Sequence, residues 1–382
     1  MTNLTKIASQ IFAYSYLIIT LLINVLPYAG DQRQLMDFGS FYASGLKAQN
    51  GENPYDSNSA FIFDIVFQRV GAGGKMMNLN PPISVVFFSL LARFDPFKAM
   101  RVWQILSAFF YIAVVFALAG TYKQYLTPAR FVWAFTLAGF WHTISLGQIY
   151  VAILVFTTAA WILLMNDRRV LAGIAIGMAL TLKPNFVVWP IFLLFSGYFS
   201  VFVAAALSAI AISLIPIALY GPKIYIQWLE ASAVPHATLI MPGNNSFAGL
   251  VSRFNYDSLG VALSISLLLA LLYLSIRQGK DSPQRFERVS ALGILASLLA
   301  SPIAWTGYTI LLLPVFFHKK DWAPLRVAAA IILSVPFAVV LQLWQNSFVN
   351  FVIFGWLYGW ALLCLLVEFG ANTKTMSASR AI

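Results

Sequence analysis

An all-α, polytopic membrane fold is what this sequence predicts, and three observations predict it. Apolar residues fill 60% of the 382 positions and charged residues only 10%, where a soluble domain carries about a quarter charged. The apolar residues gather into runs that approach the roughly 20 residues a helix needs to cross a bilayer, and shorter helices survive where neighbours shelter them. Basic residues sit in short clusters between the runs, the arrangement that membrane topology produces.

The runs are 7–29, 98–119, 129–146, 150–165, 170–182, 186–195, 199–220, 259–276, 289–300, 303–317, 325–344 and 348–367, which predicts about 12 transmembrane helices in one continuous domain, 1–382. The first is too long for a signal-peptide core and lacks a small-x-small cleavage site, so it reads as a retained span. Run 81–91 is apolar but only about 16 Å long as a helix, and Asn78, Asn80, Arg93 and Asp95 flank it. It reads as half-inserted.

Charge then orients the chain. With the N-terminus in the cytoplasm, 14 of the 24 basic residues face inward with five acids, and ten face outward with eight. This satisfies the positive-inside rule and leaves both termini cytoplasmic. It also puts the two long hydrophilic connections, 30–80 and 221–257, on the outer side of a cell's plasma membrane, the periplasmic or exterior face. In the first, Phe38, Phe41, Tyr42 and Leu46, and later Phe61, Ile62, Ile65 and Val66, recur at three- and four-residue spacing, as in amphipathic helices lying on the membrane surface. Asn53-Pro54-Tyr55-Asp56 breaks them as a turn, and 71–75 reads as a flexible joint.

Several classes fall away. The net charge of +11 comes from scattered clusters, not from one basic face, which removes nucleic acid as a partner. A single cysteine, Cys364, forbids an internal disulfide. His142, His236 and His318 lack ligand spacing, so no metal site and no cofactor is expected. Gly71-Ala72-Gly73-Gly74-Lys75 lacks the spacing of a nucleotide-binding loop. No internal repeat is visible.

The few polar groups at the outer boundary carry the chemistry. Asp37 fits two roles: an N-cap at the head of a surface helix, or a general base whose partly desolvated carboxylate takes a proton from a sugar hydroxyl. Lys183 interrupts an apolar stretch, where charge is costly and marks a pathway or an anionic ligand, unless the side chain snorkels to the surface. Arg253 faces either a phosphate or a loose surface partner. Gln148, Asn185 and Asn245 lie at the same boundary.

Taken together, Asp37-Phe38 through Tyr42, Asn53-Pro54-Tyr55-Asp56, Asn80-Pro81-Pro82, Gly147-Gln148, Lys183-Pro184, Asn245-Ser246 and Ser301-Pro302-Ile303-Ala304-Trp305 resemble glycosyltransferase family 87, in family order over about residues 35–315. The resemblance implies a GT-C fold and transfer of a hexose, mannose above all, from a polyprenyl-phosphate donor to a lipid or glycan acceptor. It also implies inversion at the anomeric carbon with Asp37 as the base. Lys183 and Arg253 would then hold the donor phosphate, and Gln148, Asn185 and Asn245 the sugar hydroxyls. The chain departs from the family at Gly307-Tyr308, where histidines are frequent; His142 beside Trp141 either substitutes or packs. A transporter or lipid flippase, and a noncatalytic scaffold of the same fold, are the rival readings.

Overall fold

The computed structural model describes residues 3–25, 35–56, 78–232, 236–277 and 285–378, and among them the chain is helical with no strand. Helix α1 (Asn3–Val25) precedes α2 (Met36–Gln49), and the Asn53 turn leads to α3 (Pro82–Leu91). The expected amphipathic segment around Phe61 and the joint at 71–75 lie outside the described residues. Helices α2 and α3 pack so closely that a Cβ on Gly45 would stand 2.5 Å from the Phe88 carbonyl. Phe38 and Phe41 close on Phe88 at centroid distances of 5.7 and 5.1 Å. Tyr55 donates to Asn80 O and Ser44 to Pro54 O, so the Asn53 and Asn80 turns are tied to one another and to α2. Ten residues of α3 reach about 15 Å, about half the thickness of a bilayer's hydrocarbon core.

Among the described residues, three helices are continuous, long and apolar enough to cross a bilayer: α4 (Pro96–Thr121), and those at Phe199–Tyr220 and Asp257–Ile276. Their outward faces carry exposed Ile105, Phe109, Leu207, Ile210 and Leu269, which hydrocarbon accommodates and water would not. Over their described residues the twelve expected runs are mostly helical, but not all of them are single continuous helices. Run 129–146 is two helices, α5 (Pro128–Ala134) and α6 (Ala138–Leu146). Runs 150–165 and 170–182 become α7 (Tyr150–Met165) and α8 (Arg169–Leu182). A 3-10 turn at Pro184–Val187 leads into α9 (Val188–Phe195), followed by α10 (Phe199–Tyr220).

The second long connection holds α11 (Lys223–Ala231), α12 (His236–Leu239) and α13 (Phe247–Ser252) before α14 (Asp257–Ile276). Next come α15 (Arg285–Leu299), a 3-10 segment at Thr306–Leu312 and α16 (Leu313–Phe317). Run 325–344 is a pair, α17 (Pro324–Ser334) and α18 (Phe337–Leu343), bent by 80°. The last run splits into α19 (Phe348–Ile353) and α20 (Leu357–Ala378).

A broken helix releases carbonyls that an apolar surrounding cannot hydrate, so each must find a donor inside the protein. At the α5–α6 break Tyr111 donates to Ala134 O at 2.5 Å and Trp141 to Phe135 O at 2.8 Å. Tyr358 donates to Val335 O at 2.7 Å at the α17–α18 bend. Gly355 O, between α19 and α20, accepts from Arg253 and from the Gly243 amide. At the far end of α4, Tyr122 accepts from Trp161 at 2.8 Å and donates to Glu287 at 3.3 Å. Arg326 pairs with Glu368 at 2.9 Å, both buried.

Helices α8 and α10 touch through a Gly173-x-x-x-Gly177 stripe, the small-residue pattern that lets backbones meet where apolar area gives no drive to associate. A Cβ on Gly177 would lie 2.6 Å from Ala205 O and 2.7 Å from Ser208 Cβ. Gly177→Val is therefore expected to cost about 1–3 kcal/mol through overpacking and to lower the melting temperature of the purified protein. Gly120→Ala, where nothing lies within 4 Å, should leave it equal or higher.

Candidate functional site

The first turn of α2 is where distant segments meet. Leu35 occupies the N-cap position of α2 and makes no side-chain cap. Asp37 sits inside the first turn, so its carboxylate gains from the helix dipole without capping the helix. It accepts instead from Nε2 of Gln148. Gly147, which ends α6 in the left-handed conformation at φ 65°, brings Gln148 there. A Cβ on Gly147 would stand 2.6 Å from Phe38 Cβ, so both backbone angle and space require glycine. Trp103 donates to Gly147 O at 2.9 Å and Gln104 to Ile144 O at 3.0 Å, which fixes the turn. The Asp37-Phe38 and Gly147-Gln148 motifs are thus two halves of one contact.

Lys183 lies in the extended link between α8 and the Pro184–Val187 turn, at φ −149° and ψ 97°. Its ammonium stands over the Tyr308 ring, 5.8 Å from the centroid, and its charge is felt at Asp37. The side chain is turned into the protein, not snorkelling away from it. Tyr150, the first residue of α7, packs edge-on to Tyr308 at 4.4 Å and is itself within electrostatic reach of Asp37. Asn185 donates to Ser301 Oγ at 3.0 Å, and Ser301 donates to Ile303 O at 2.8 Å. The Lys183-Pro184 and Ser301-Pro302 breaks are thereby joined.

Burial raises the Asp37 carboxyl from 3.8 to about 6, with the Gln148 hydrogen bond and the Lys183 charge holding it down. At neutral pH such a group is ionised and yet basic enough to take a proton in a transition state. Beside it, Oε1 of Gln148 is buried with no hydrogen-bond partner among the described residues, a free acceptor for a donated hydroxyl.

Two expected site residues do not join this cluster. Arg253, 4% exposed, donates to Gly249 O, to Met241 O at 2.8 Å and to Gly355 O at 2.7 Å. Burial lowers it only to about 10, so it stays charged while its guanidinium serves backbone carbonyls. Asn245 likewise gives its amide to Gly243 O and Ala304 O, at 2.8 and 3.2 Å. Its neighbour Asn244 accepts from the Ala304 amide at 2.9 Å and donates to Leu239 O and Pro302 O. Ser246 caps α13 through the Gly249 amide at 2.9 Å and donates to Pro302 O at 3.0 Å. The Asn244-Asn245-Ser246 motif is thus a clamp on the chain from Ser301 to Trp305. His142 packs edge-on against Phe337 at 4.4 Å.

Sequence reasoning passed over Tyr150 and treated Tyr308 only as a departure from the family. Both sit in apolar runs where aromatic residues read as core. The available signal was position: Tyr150 follows Gln148 by two residues, and Tyr308 follows the Ser301-Pro302 break.

No curated protein matches the chain. The crystal structure of ArnT from Cupriavidus metallidurans bound to undecaprenyl phosphate is similar to it at 13% sequence identity and a TM-score of 0.35, covering 96% of this chain and 78% of that one. The sequence profile of glycosyltransferase family 87 matches residues 78–302, a stretch that contains Gln148, Lys183, Asn185, Asn245 and Arg253 and stops short of Asp37 and Tyr308. With well over half of its 382 residues inside that match, the chain belongs to glycosyltransferase family 87.

Proposed function

We propose that this chain transfers a hexose, mannose in the first instance, from a polyprenyl-phosphate donor to a hydroxyl of a lipid or glycan acceptor at the outer face of the membrane. The observation that carries the reading is the Asp37 carboxylate: half-buried, bound by Gln148, reached by the charge of Lys183 and raised to about 6. In the reaction an acceptor oxygen attacks the anomeric carbon from the side opposite the phosphate and its proton passes to Asp37. The bond from the anomeric carbon to the phosphate oxygen breaks with inversion, and the electron pair leaves with polyprenyl phosphate. A phosphate leaves as a stable anion, so one base suffices and no second carboxyl is required. Lys183 holds the anion's charge, Oε1 of Gln148 accepts from a sugar hydroxyl, and Asn185 with Ser301 frames the same side.

The charge asymmetry of the connecting segments supports an outward site with cytoplasmic termini. The exposed apolar flanks of α10 and α14 offer a prenyl chain the same surface they offer lipid. A transporter builds its binding site from carbonyls released where helices break. Here those carbonyls accept from Tyr111, Trp141, Tyr358, Asn244 and Arg253, which weighs against that rival.

Asp37→Asn is expected to lower transfer of labelled sugar from polyprenyl-phosphate mannose by about 10²–10⁴-fold, the worth of a positioned base. Transfer at the wild-type rate would remove the base assignment. The same variant should be no less stable than the wild type. A carboxyl whose folded pKa lies above its unfolded value destabilises the native state once ionised. That penalty builds as pH rises from about 4 to about 6 and is complete above, with an upper bound of roughly 3 kcal/mol. Thermal melts at neutral pH check this sign.

For the wild type, kcat/KM should fall about tenfold per unit as pH drops below about 6. Arg253→Ala removes one donor from each of three carbonyls, of which Met241 O and Gly355 O keep a backbone amide, and should lower the melting temperature by the equivalent of about 1–3 kcal/mol, with the donor KM of the folded fraction unchanged. A raised KM with an unchanged melt would restore Arg253 to the phosphate site.

A further inference from the structure

The ammonium of Lys183 has no ion-pair or hydrogen-bond partner among the described residues; what it faces is the Tyr308 ring, 5.8 Å from nitrogen to centroid. That lies within the roughly 6 Å at which a ring's negative face attracts a cation, an attraction that strengthens away from water. Tyr308 is 2% exposed and cannot swing aside. Tyr150 meets its ring at 4.4 Å and 65°, and Phe186 at 5.8 Å and 83°. Phe186 and Lys183 belong to the same short connection between α8 and α9, so Tyr308 grips that connection at two points, and the Asn185–Ser301 bond adds a third.

Gly307 makes the approach possible. A Cβ there would stand 2.3 and 2.6 Å from two ring carbons of Tyr150 and 2.8 Å from Thr143 Oγ1. Any side chain at 307 would lift the 3-10 segment off Tyr150 and carry Tyr308 away from Lys183. The two residues at which the chain departs from its family therefore act together.

We propose that Tyr308, admitted by Gly307, is a positioning residue that holds the Lys183 ammonium beside Asp37, where the donor phosphate arrives. A lysine carries four rotatable bonds and loses rotamer freedom when fixed. A pre-placed ring face meets part of that cost before the ligand binds, and it does so without a carboxylate that would cancel the charge the phosphate needs. The proposal rests on the reading that Lys183 meets the donor phosphate, and its test separates the two.

Full-length wild type, Tyr308→Phe, Tyr308→Leu, Lys183→Ala and the double variant Tyr308→Leu/Lys183→Ala are reconstituted in nanodiscs, and equilibrium binding of polyprenyl phosphate is measured. This probe is the leaving group itself, so no turnover is needed. Tyr308→Leu is expected to weaken binding about tenfold and Tyr308→Phe by less than about twofold. The double variant should be no weaker than Lys183→Ala alone. Should Tyr308→Leu fail to fold, Tyr308→pentafluorophenylalanine keeps the ring's shape, reverses its quadrupole and should give the same loss.

Wild-type affinity in Tyr308→Leu or in the fluorinated variant, with Lys183→Ala impaired, overturns the positioning role and leaves the phosphate site standing. Additive losses in the double variant also overturn it, because Tyr308 would then act without Lys183. Wild-type affinity in Lys183→Ala removes the phosphate reading and this proposal with it.

Discussion

A carbonyl released from a helix in an apolar surrounding must find a donor within the protein, and that requirement organises most of the polar residues in this chain. Leaving such a group unpaired costs several kcal/mol, comparable with a large share of a domain's net stability. The bundle is built largely from short and broken helices, so the requirement recurs along its length. Tyr111, Trp141 and Tyr358 meet it at the breaks flanking Thr136 and Pro336. The Asn244-Asn245-Ser246 clamp and Arg253 meet it where the second long connection closes over Pro302 and Gly355. Helix segments that would otherwise be separate are held together by these donors.

The same requirement isolates the proposed base. A carboxylate is an acceptor only, so Asp37 can satisfy no released carbonyl, and the architecture has no structural use for it at the first turn of α2. It is retained at a cost, since burial works against its ionised form. The surroundings limit that cost with one amide and one distant ammonium instead of a close ion pair. A direct salt bridge to Lys183 would have lowered the carboxyl well below 6 and removed the basicity that a proton acceptor needs. Placing the ammonium on the Tyr308 ring keeps it near enough to steady the anion and far enough not to neutralise it.

What the sequence could reveal follows from this division. Asp37, Gln148 and Lys183 were legible because polar residues in or beside apolar runs are costly and few, and the structure brings all three together. Asn245 and Arg253 carried the same signal for another reason. Their partners are carbonyls at Ala304 and Gly355, and no pattern of side chains announces where a backbone will break. The breaks themselves were unevenly readable. Pro336 marks one and Gly355 another, but 135–137 holds neither glycine nor proline, and the α5–α6 interruption there depends on Thr136, which donates to Trp133 O at 2.8 Å and meets Ser334 at 3.0 Å. Apolar runs locate helices well, while span count depends on such tertiary bonds. Tyr150 and Tyr308 were hidden for the opposite reason: an aromatic residue within an apolar run is indistinguishable from core until its neighbours are known.

The two ends of the bundle are polar in different ways, and the difference has a consequence for where chemistry can occur. Helix α4, 26 residues long, separates them by about 39 Å. At its far end Tyr122, Trp161 and Glu287 share one hydrogen-bonded hub, and Arg326 closes on Glu368 with a further donation to Val315 O at 2.6 Å. Those groups are paired largely with one another, although Nη2 of Arg326 has no partner among the described residues. They pin the helices. At the Asp37 end the matching among the described residues is incomplete: Oε1 of Gln148 lacks a donor, Lys183 lacks an anion within bonding distance, and the Asp37 carboxylate accepts from one side-chain amide. Unmatched polar groups inside a membrane protein are costly, and a ligand that completes several of them at one place recovers that cost. A sugar hydroxyl, a phosphate and an acceptor proton would complete these three in turn, and in the proposed reaction they arrive together.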